Sequence, residues 1–257
     1  MDTAIHGKVA LVCGSTSGLG AASARALATE GARVVVTGRR ADTAQQVAAE
    51  LPSAVPIPAD LFAADGPADL VAATERALGP VDILVLNGPG PAPSRADELG
   101  DDDVARALDL HLRPQRELVA RVLPGMRRRG WGRIVAIGSS GIDAPLPGLA
   151  VSNVGRWALA AYLKTLATEV AADGVTVNLA LPGRIATARV AALDDARATR
   201  EGRSADDVRT DSRSAIPTGR YGIPEEFGAV VAFLCSGPAS YVTGTALRCD
   251  GGMVPVL

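Results

Sequence analysis

The stretch VCGSTSGLG, residues 12–20, decides the fold. It follows directly on the β-branched run KVALVC (8–13) and opens an alanine- and leucine-rich stretch over 18–30. Gly14, Gly18 and Gly20 stand at G-x-x-x-G-x-G spacing. Glycines there let the chain turn tightly from strand into helix and let the backbone approach a pyrophosphate, which the helix N-terminus attracts. Glycine turns after strands also occur for packing alone, so the surrounding elements must decide.

Those elements repeat one rhythm. Strands are expected at 8–13, 33–37, 54–58, 82–86, 133–137, 175–180 and 245–249. Helical stretches lie between them near 18–30, 42–51, 65–78, 101–126, 152–172 and 224–236. Continuous apolar strands separated by helices predict a parallel sheet covered on both faces, an α/β doubly wound arrangement. No repeat or linker divides the chain, so a single domain over 1–257 is expected. The segment 184–216 breaks the rhythm, with seven arginines, six acids and few large apolar residues. A long connection after the sixth strand predicts a charged substrate lid, the alternative being a solvated excursion without a role.

Composition excludes several classes. The chain has 257 residues, 47% of them hydrophobic, yet polar residues or Gly and Pro interrupt every apolar run well short of a membrane span. The start MDTAIHGKVALVC lacks the pattern of a signal peptide. Cys13, Cys235 and Cys249 are scattered, and with only His6 and His111 beside them no metal site is expected. A net charge of −2 gives no electrostatic case for nucleic acid. A cytoplasmic enzyme is expected.

TGRR (37–40) ends the second strand. Gly38 stands where NAD-preferring folds carry an acid for the ribose 2′-hydroxyl, and Arg39 and Arg40 suit a 2′-phosphate. Asp60-Leu61 follows the third strand and Asn87-Gly88 the fourth. With these residues the chain resembles the short-chain dehydrogenase/reductase family, most of all its 3-oxoacyl-ACP-reductase-like branch, nearly end to end. The glycine turn matches apart from Cys13, where the family usually has threonine. LNGPG (86–90) loosely matches the family's Asn-Asn-Ala-Gly, and LPGRIAT (181–187) its Pro-Gly-x-x-x-Thr segment against the nicotinamide. The closing segments IPTGRYGIPEEF and YVTGTALRCDGG match as well. The resemblance implies a Rossmann-type domain, NADP(H) as cofactor and a homotetramer. Its cofactor site would take Gly14, Ser15, Ser17, Gly18, Leu19, Gly20, Arg39, Arg40, Asp60, Leu61, Asn87, Gly88, Arg156, Pro182, Gly183, Ile185 and Thr187.

The chemical end departs from the family pattern. The resemblance implies a Ser, a Tyr-x-x-x-Lys pair and an upstream Asn. Ser139 matches the serine, but Ser152 stands for the tyrosine, Arg156 for the lysine and His111 for the asparagine. Tyr162 lies ten residues beyond Ser152, about 15 Å along the helix, and Tyr221 and Tyr241 fall where the family gives tyrosine no catalytic duty. Serine is a poor proton donor unless coupled to a base, and arginine keeps its charge at any ordinary pH. Ser139, Ser152 and Arg156 therefore suggest electrostatic stabilisation of an oxyanion, or a cofactor anchor with a space-filling serine. A water or His111 would handle the proton. His111 lies on the stripe Val104, Leu108, His111, Leu118, Val122, expected to be the buried face of a helix that Pro114 kinks, and a core histidine bonded to a carbonyl is the alternative.

MRRRGWGR (126–133) puts three arginines at a helix end. They complement the helix dipole, and in the resembled branch a basic patch hereabouts can dock an acyl carrier protein. The substrate expected is a ketone or alcohol, small or acyl-carrier-bound. The alternative is a non-redox dehydratase, cyclase or isomerase, or a nucleotide-sensing pseudoenzyme, on the same fold.

Overall fold

The computed structural model describes residues 2–256. Seven parallel strands form one sheet: β1 (Val9–Val12), β2 (Arg33–Val36), β3 (Ala54–Pro56), β4 (Ile83–Leu86), β5 (Gly132–Ile137), β6 (Val175–Pro182) and β7 (Ala246–Cys249). Their order is β3-β2-β1-β4-β5-β6-β7. The chain builds outward from β1 to β3, then crosses back and builds the other way from β4. This reversal between β1 and β4 opens a crevice at the carboxyl ends of the strands, the place where open α/β sheets bind ligands.

The period of the strands sorts the core into two layers. Leu11, Val35, Leu84, Leu86 and Ile134 face α3 (Gly66–Leu78), α5 (Arg113–Arg129) and α6 (Ala150–Val170). Ala10, Val12, Val34, Val36, Ile83 and Val85 face α1 (Gly18–Thr29), α2 (Ala41–Ala49) and α9 (Pro224–Leu234). Both faces are dry because every crossover returns over one face or the other. No helix among the described residues is long and apolar enough to cross a membrane.

Two expectations need correction. The stretch 101–126 is not one helix but α4 (Asp101–His111) and α5, broken at Leu112. Pro114 causes the break: it has no N–H for the carbonyl of Leu110, which is left beside Gly88 at the crevice. The apolar stripe is buried only in part, since Val104 is exposed whereas His111, Leu118 and Val122 are enclosed. The segment 184–216 is also more ordered than a charged loop, because it folds into α7 (Ala188–Glu201) and α8 (Ala205–Ser214). Arg203 links Glu201 to Asp211, and Arg209 links Asp195 to Asp206, so the charges close on one another across the two helices. Asp194, fully buried, accepts from Arg184 and, at 2.7 Å, from the hydroxyl of Tyr221, which ties α7 to the chain beyond α8.

Candidate active site

A cavity of about 1100 Å³ runs along the carboxyl ends of the strands. Its lining includes Gly14, Ser17, Gly18, Leu19, Arg39, Arg40, Asp60, Leu61, Asn87 and Gly88. Ser139, Ser152, Arg156, Pro182, Gly183, Ile185 and Thr187 line it too, whereas Ser15, Gly20 and His111 of the expected set do not.

At the glycine turn the reason for the residue type is visible. A Cβ on Gly20 would fall 2.2 Å from the carbonyl oxygen of Gly14, so only glycine lets α1 start this close to β1. The Asn87 amide, at 3.3 Å from the carbonyls of Cys13 and Gly14, ties the end of β4 to the same turn. Gly20 thus serves packing and lies outside the cavity lining. Ser15 is a second correction. It is fully buried, its N–H donates to Thr37, its hydroxyl donates to Val12 and accepts from the Thr37 N–H, leaving no donor for a ligand. Arg39 and Arg40 behave differently: among the described residues neither has an acidic partner.

Ser139 follows β5 and starts a short 3₁₀ turn, its hydroxyl oxygen accepting from the Gly141 N–H at 3.0 Å. Ser152 and Arg156 lie one turn apart near the start of α6, as their spacing requires. Arg156 does not reach outward as a free cation. Its Nε donates to the Ser152 hydroxyl at 3.2 Å, and one terminal nitrogen, Nη1, donates to the carbonyls of Ile137 at 3.1 Å and Gly138 at 3.0 Å. The other terminal nitrogen, Nη2, has no protein acceptor among the described residues. The Ser152 oxygen accepts from Arg156, so its own O–H is free to donate, and the same holds for Ser139. Burial pushes the Arg156 pKa down to about 10, with the nearby charge of Arg189 adding to the effect, so the guanidinium stays charged at neutral pH.

His111 is brought against α6 beside this group. A Cβ on Gly155 would fall 2.6 Å from the His111 ring and 2.4 Å from the Ala107 carbonyl, so glycine there lets α4 press the imidazole against α6. His111 is 3% exposed and lies outside the cavity lining. Desolvation, then the Arg156 charge, pushes its pKa down from 6.5 to about 3. A ring that is neutral at physiological pH carries no imidazolium proton to give. Nor is it a satisfied core histidine, because its Nε2 has no partner among the described residues.

Sequence reasoning expected a lid at 184–216 but named none of its arginines in the site. Arg184, Arg189, Leu193, Arg197 and Arg200 line the cavity beside Val190 and Ala196. The signal was present: positions 189, 193, 197 and 200 recur at helical spacing and mark one face of α7. The arginines at 127–129 fall at the other end of the molecule. They immediately precede β5, whose six residues span roughly 20 Å before the cavity is reached. Arg127 pairs with Asp173 and Arg129 with Asp82. A carrier protein docked there would face away from the cavity, so the helix-end role accounts for them.

The chain matches the family model described as enoyl-(acyl carrier protein) reductase over residues 14–254. It is 34% identical over 255 residues to the bovine (Bos taurus) dehydrogenase/reductase SDR family member 4, covering 96% of this chain and 88% of that one. It is 31% identical to the 3-oxoacyl-[acyl-carrier-protein] reductase FabG of Salmonella typhimurium, covering 98% and 99% of the two chains. Among solved structures it is similar to L-sorbose reductase from Gluconobacter frateurii, complexed with NADPH and L-sorbose. That match has a TM-score of 0.93 and 32% identity and covers 100% of both chains. An actinorhodin polyketide ketoreductase variant with NADPH gives a TM-score of 0.91 and 32% identity, covering 97% of this chain and 98% of the other.

Proposed function

The chain belongs to the short-chain dehydrogenase/reductase family, an oxidoreductase family, and from that premise we propose that it is an NADP(H)-dependent enzyme acting on a ketone or alcohol through an atypical Ser139, Ser152 and Arg156 site. The residues present fit the cofactor. The glycine turn and the start of α1 offer a pyrophosphate cradle, and Arg39 and Arg40, without acidic partners, suit a 2′-phosphate. Asp60, Asn87, Pro182, Gly183, Ile185 and Thr187 would hold the rest. The two reductase neighbours with NADPH support the same choice. The nicotinamide, when bound, supplies or accepts the hydride.

The observation that carries the proposal is the arrangement of Arg156. Three hydrogen bonds pin it, and Nη2 and the hydroxyls of Ser139 and Ser152 have no protein acceptors among the described residues. Preorganised donors of this kind stabilise an alkoxide as it develops, which is often the largest single catalytic effect. The proton itself comes from water through the Ser152 hydroxyl, since Arg156 holds its own protons and the buried His111 lies outside the cavity lining. The segment 184–216 acts as the substrate lid.

The assembly proposed is a homotetramer. Val104 on α4 and Val154 and Trp157 on α6 are exposed apolar residues on the helices expected to meet a second copy, Trp157 at 51%. Tyr241, Leu247 and Val256 expose a second apolar set at the C-terminal segment.

The test is NADPH consumption across a panel of small ketones, with cofactor binding measured separately. Ser152→Ala and Arg156→Ala are each expected to lower kcat/KM at least tenfold, about 1.4 kcal/mol of transition-state stabilisation. The double change Ser152→Tyr, Arg156→Lys is expected to abolish the native turnover while NADPH still binds, because a phenol fills the space beside Ser139 and a lysine cannot span two carbonyls and a hydroxyl. Unaltered rates in both alanine variants would remove these residues from the chemistry.

A further inference from the structure

We propose that the substrate is a carboxylic acid, its carboxylate held at the cavity mouth by Arg189 with Arg156 behind it; this rests on the dinucleotide-dependent reading above and names its substrate class. Four observations carry it. Arg189 is the exception among the arginines of the lid segment that line the cavity. Arg184 is paired with Asp194, Arg197 with Glu201 at 2.7 Å, and Arg200 lies 3.9 Å from Glu201, whereas Arg189 has no acidic partner among the described residues. Arg189 donates from one terminal nitrogen, Nη2, to the carbonyl of Pro91 at 2.7 Å, and its guanidinium lies against Gly90, which fixes its place and leaves its remaining donors unused by protein.

Arg156, the second partner, likewise has no acid. Both guanidinium groups line the same cavity, and the Arg189 charge adds to the effect of burial in lowering the Arg156 pKa. Two like charges lining one cavity repel, Arg189 exposed at the mouth and Arg156 partly buried behind it, and an anion between them relieves the repulsion. The cavity wall around them adds Pro93, Leu146, Leu149 and Leu193, which carry no charge of their own and so supply no such anion. The cofactor does not supply it either, since its phosphates have Arg39, Arg40 and the glycine turn at the other end of the crevice. A guanidinium with two donors on one edge matches a carboxylate bidentately. The substrate that satisfies both groups is an oxo or hydroxy acid, with its carboxylate close to the carbon that exchanges hydride. A neutral acyl thioester would leave the repulsion in place.

The experiment uses the intact protein saturated with NADPH and a matched pair of probes, 3-phenylpropanoate and its neutral amide, titrated by calorimetry. The acid is expected to bind at least tenfold more tightly than the amide. Arg189→Gln is expected to reduce that preference below threefold with NADPH affinity unchanged, while Arg197→Gln, whose native side chain is paired with Glu201, leaves the preference in place. Equal affinities for acid and amide, no measurable binding of either, or a preference untouched in Arg189→Gln would each overturn the inference. Titration of NADPH alone keeps the two readings apart: loss of cofactor binding counts against the dinucleotide reading, and normal cofactor binding with no acid preference counts against the carboxylate alone.

Discussion

Replacing His111 by asparagine is expected to relieve a defined part of the protein's sensitivity to acid. The imidazole is 3% exposed, and burial, followed by the Arg156 charge, takes its pKa from 6.5 to about 3. Between those two values the unfolded chain binds a proton that the folded protein refuses. Stability from this group is therefore complete above pH 6.5 and is lost progressively as pH falls towards 3. At pH 5 the unfolded imidazole lies about 1.5 pH units below its pKa, which at 1.36 kcal/mol per unit gives a loss of about 2 kcal/mol. Moving the folded pKa by a unit barely alters that figure, because the folded protein stays unprotonated at pH 5 either way. The assay is urea unfolding of the wild type and His111→Asn at pH 7.5 and 5.0, without cofactor and at one protein concentration. All other titrating groups, and any space left by the smaller side chain, are common to both pH values or both proteins and cancel in the double difference. The wild type is expected to lose about 2 kcal/mol more than the variant on acidification. Equal losses would refute the burial argument and return His111 to the list of groups able to carry a proton near neutrality.

Arg39→Ala with Arg40→Ala is expected to weaken NADPH binding at least tenfold, about 1.4 kcal/mol, and to leave NADH affinity nearly unchanged; calorimetry giving equal wild-type affinities for the two cofactors would contradict it. Asp194→Asn removes the buried charge and leaves one oxygen where Arg184 and Tyr221 now have two, and should loosen the segment by about 3 kcal/mol, the low end for a broken buried pair because Arg184 keeps some contact with water. Hydrogen exchange confined to 188–214 would report it, and unchanged protection there would show that Asp194 is no anchor. Trp157→Glu places a charge on the exposed apolar face of α6 and is expected to convert a tetramer to smaller species by light scattering. A wild-type monomer at micromolar concentration would remove the assembly proposal.

The sheet was legible from the chain alone because its signals are local. Each strand is a short apolar run, each crossover a longer helical stretch, and the turn at 12–20 states in its own glycines that strand passes to helix. The pairing of Ser152 with Arg156 was legible for the same reason, since four residues make one helical turn. What Arg156 does there was not. Its partners are the carbonyls of Ile137 and Gly138, nineteen and eighteen residues away, and they meet it only when α6 packs beside the end of β5. His111 shows the same limit more sharply. Its apolar stripe correctly marked it as enclosed, but the shift of its pKa depends on Gly155 admitting the ring against α6, a contact between two helices. Arg189 owes its lack of an acidic partner to where α7 lies, because several acids stand within a few turns of it in the chain and none faces it in space. Short-range order follows from propensity and period, which neighbouring residues carry; desolvation and the pairing of charges follow from distances that only the folded chain sets.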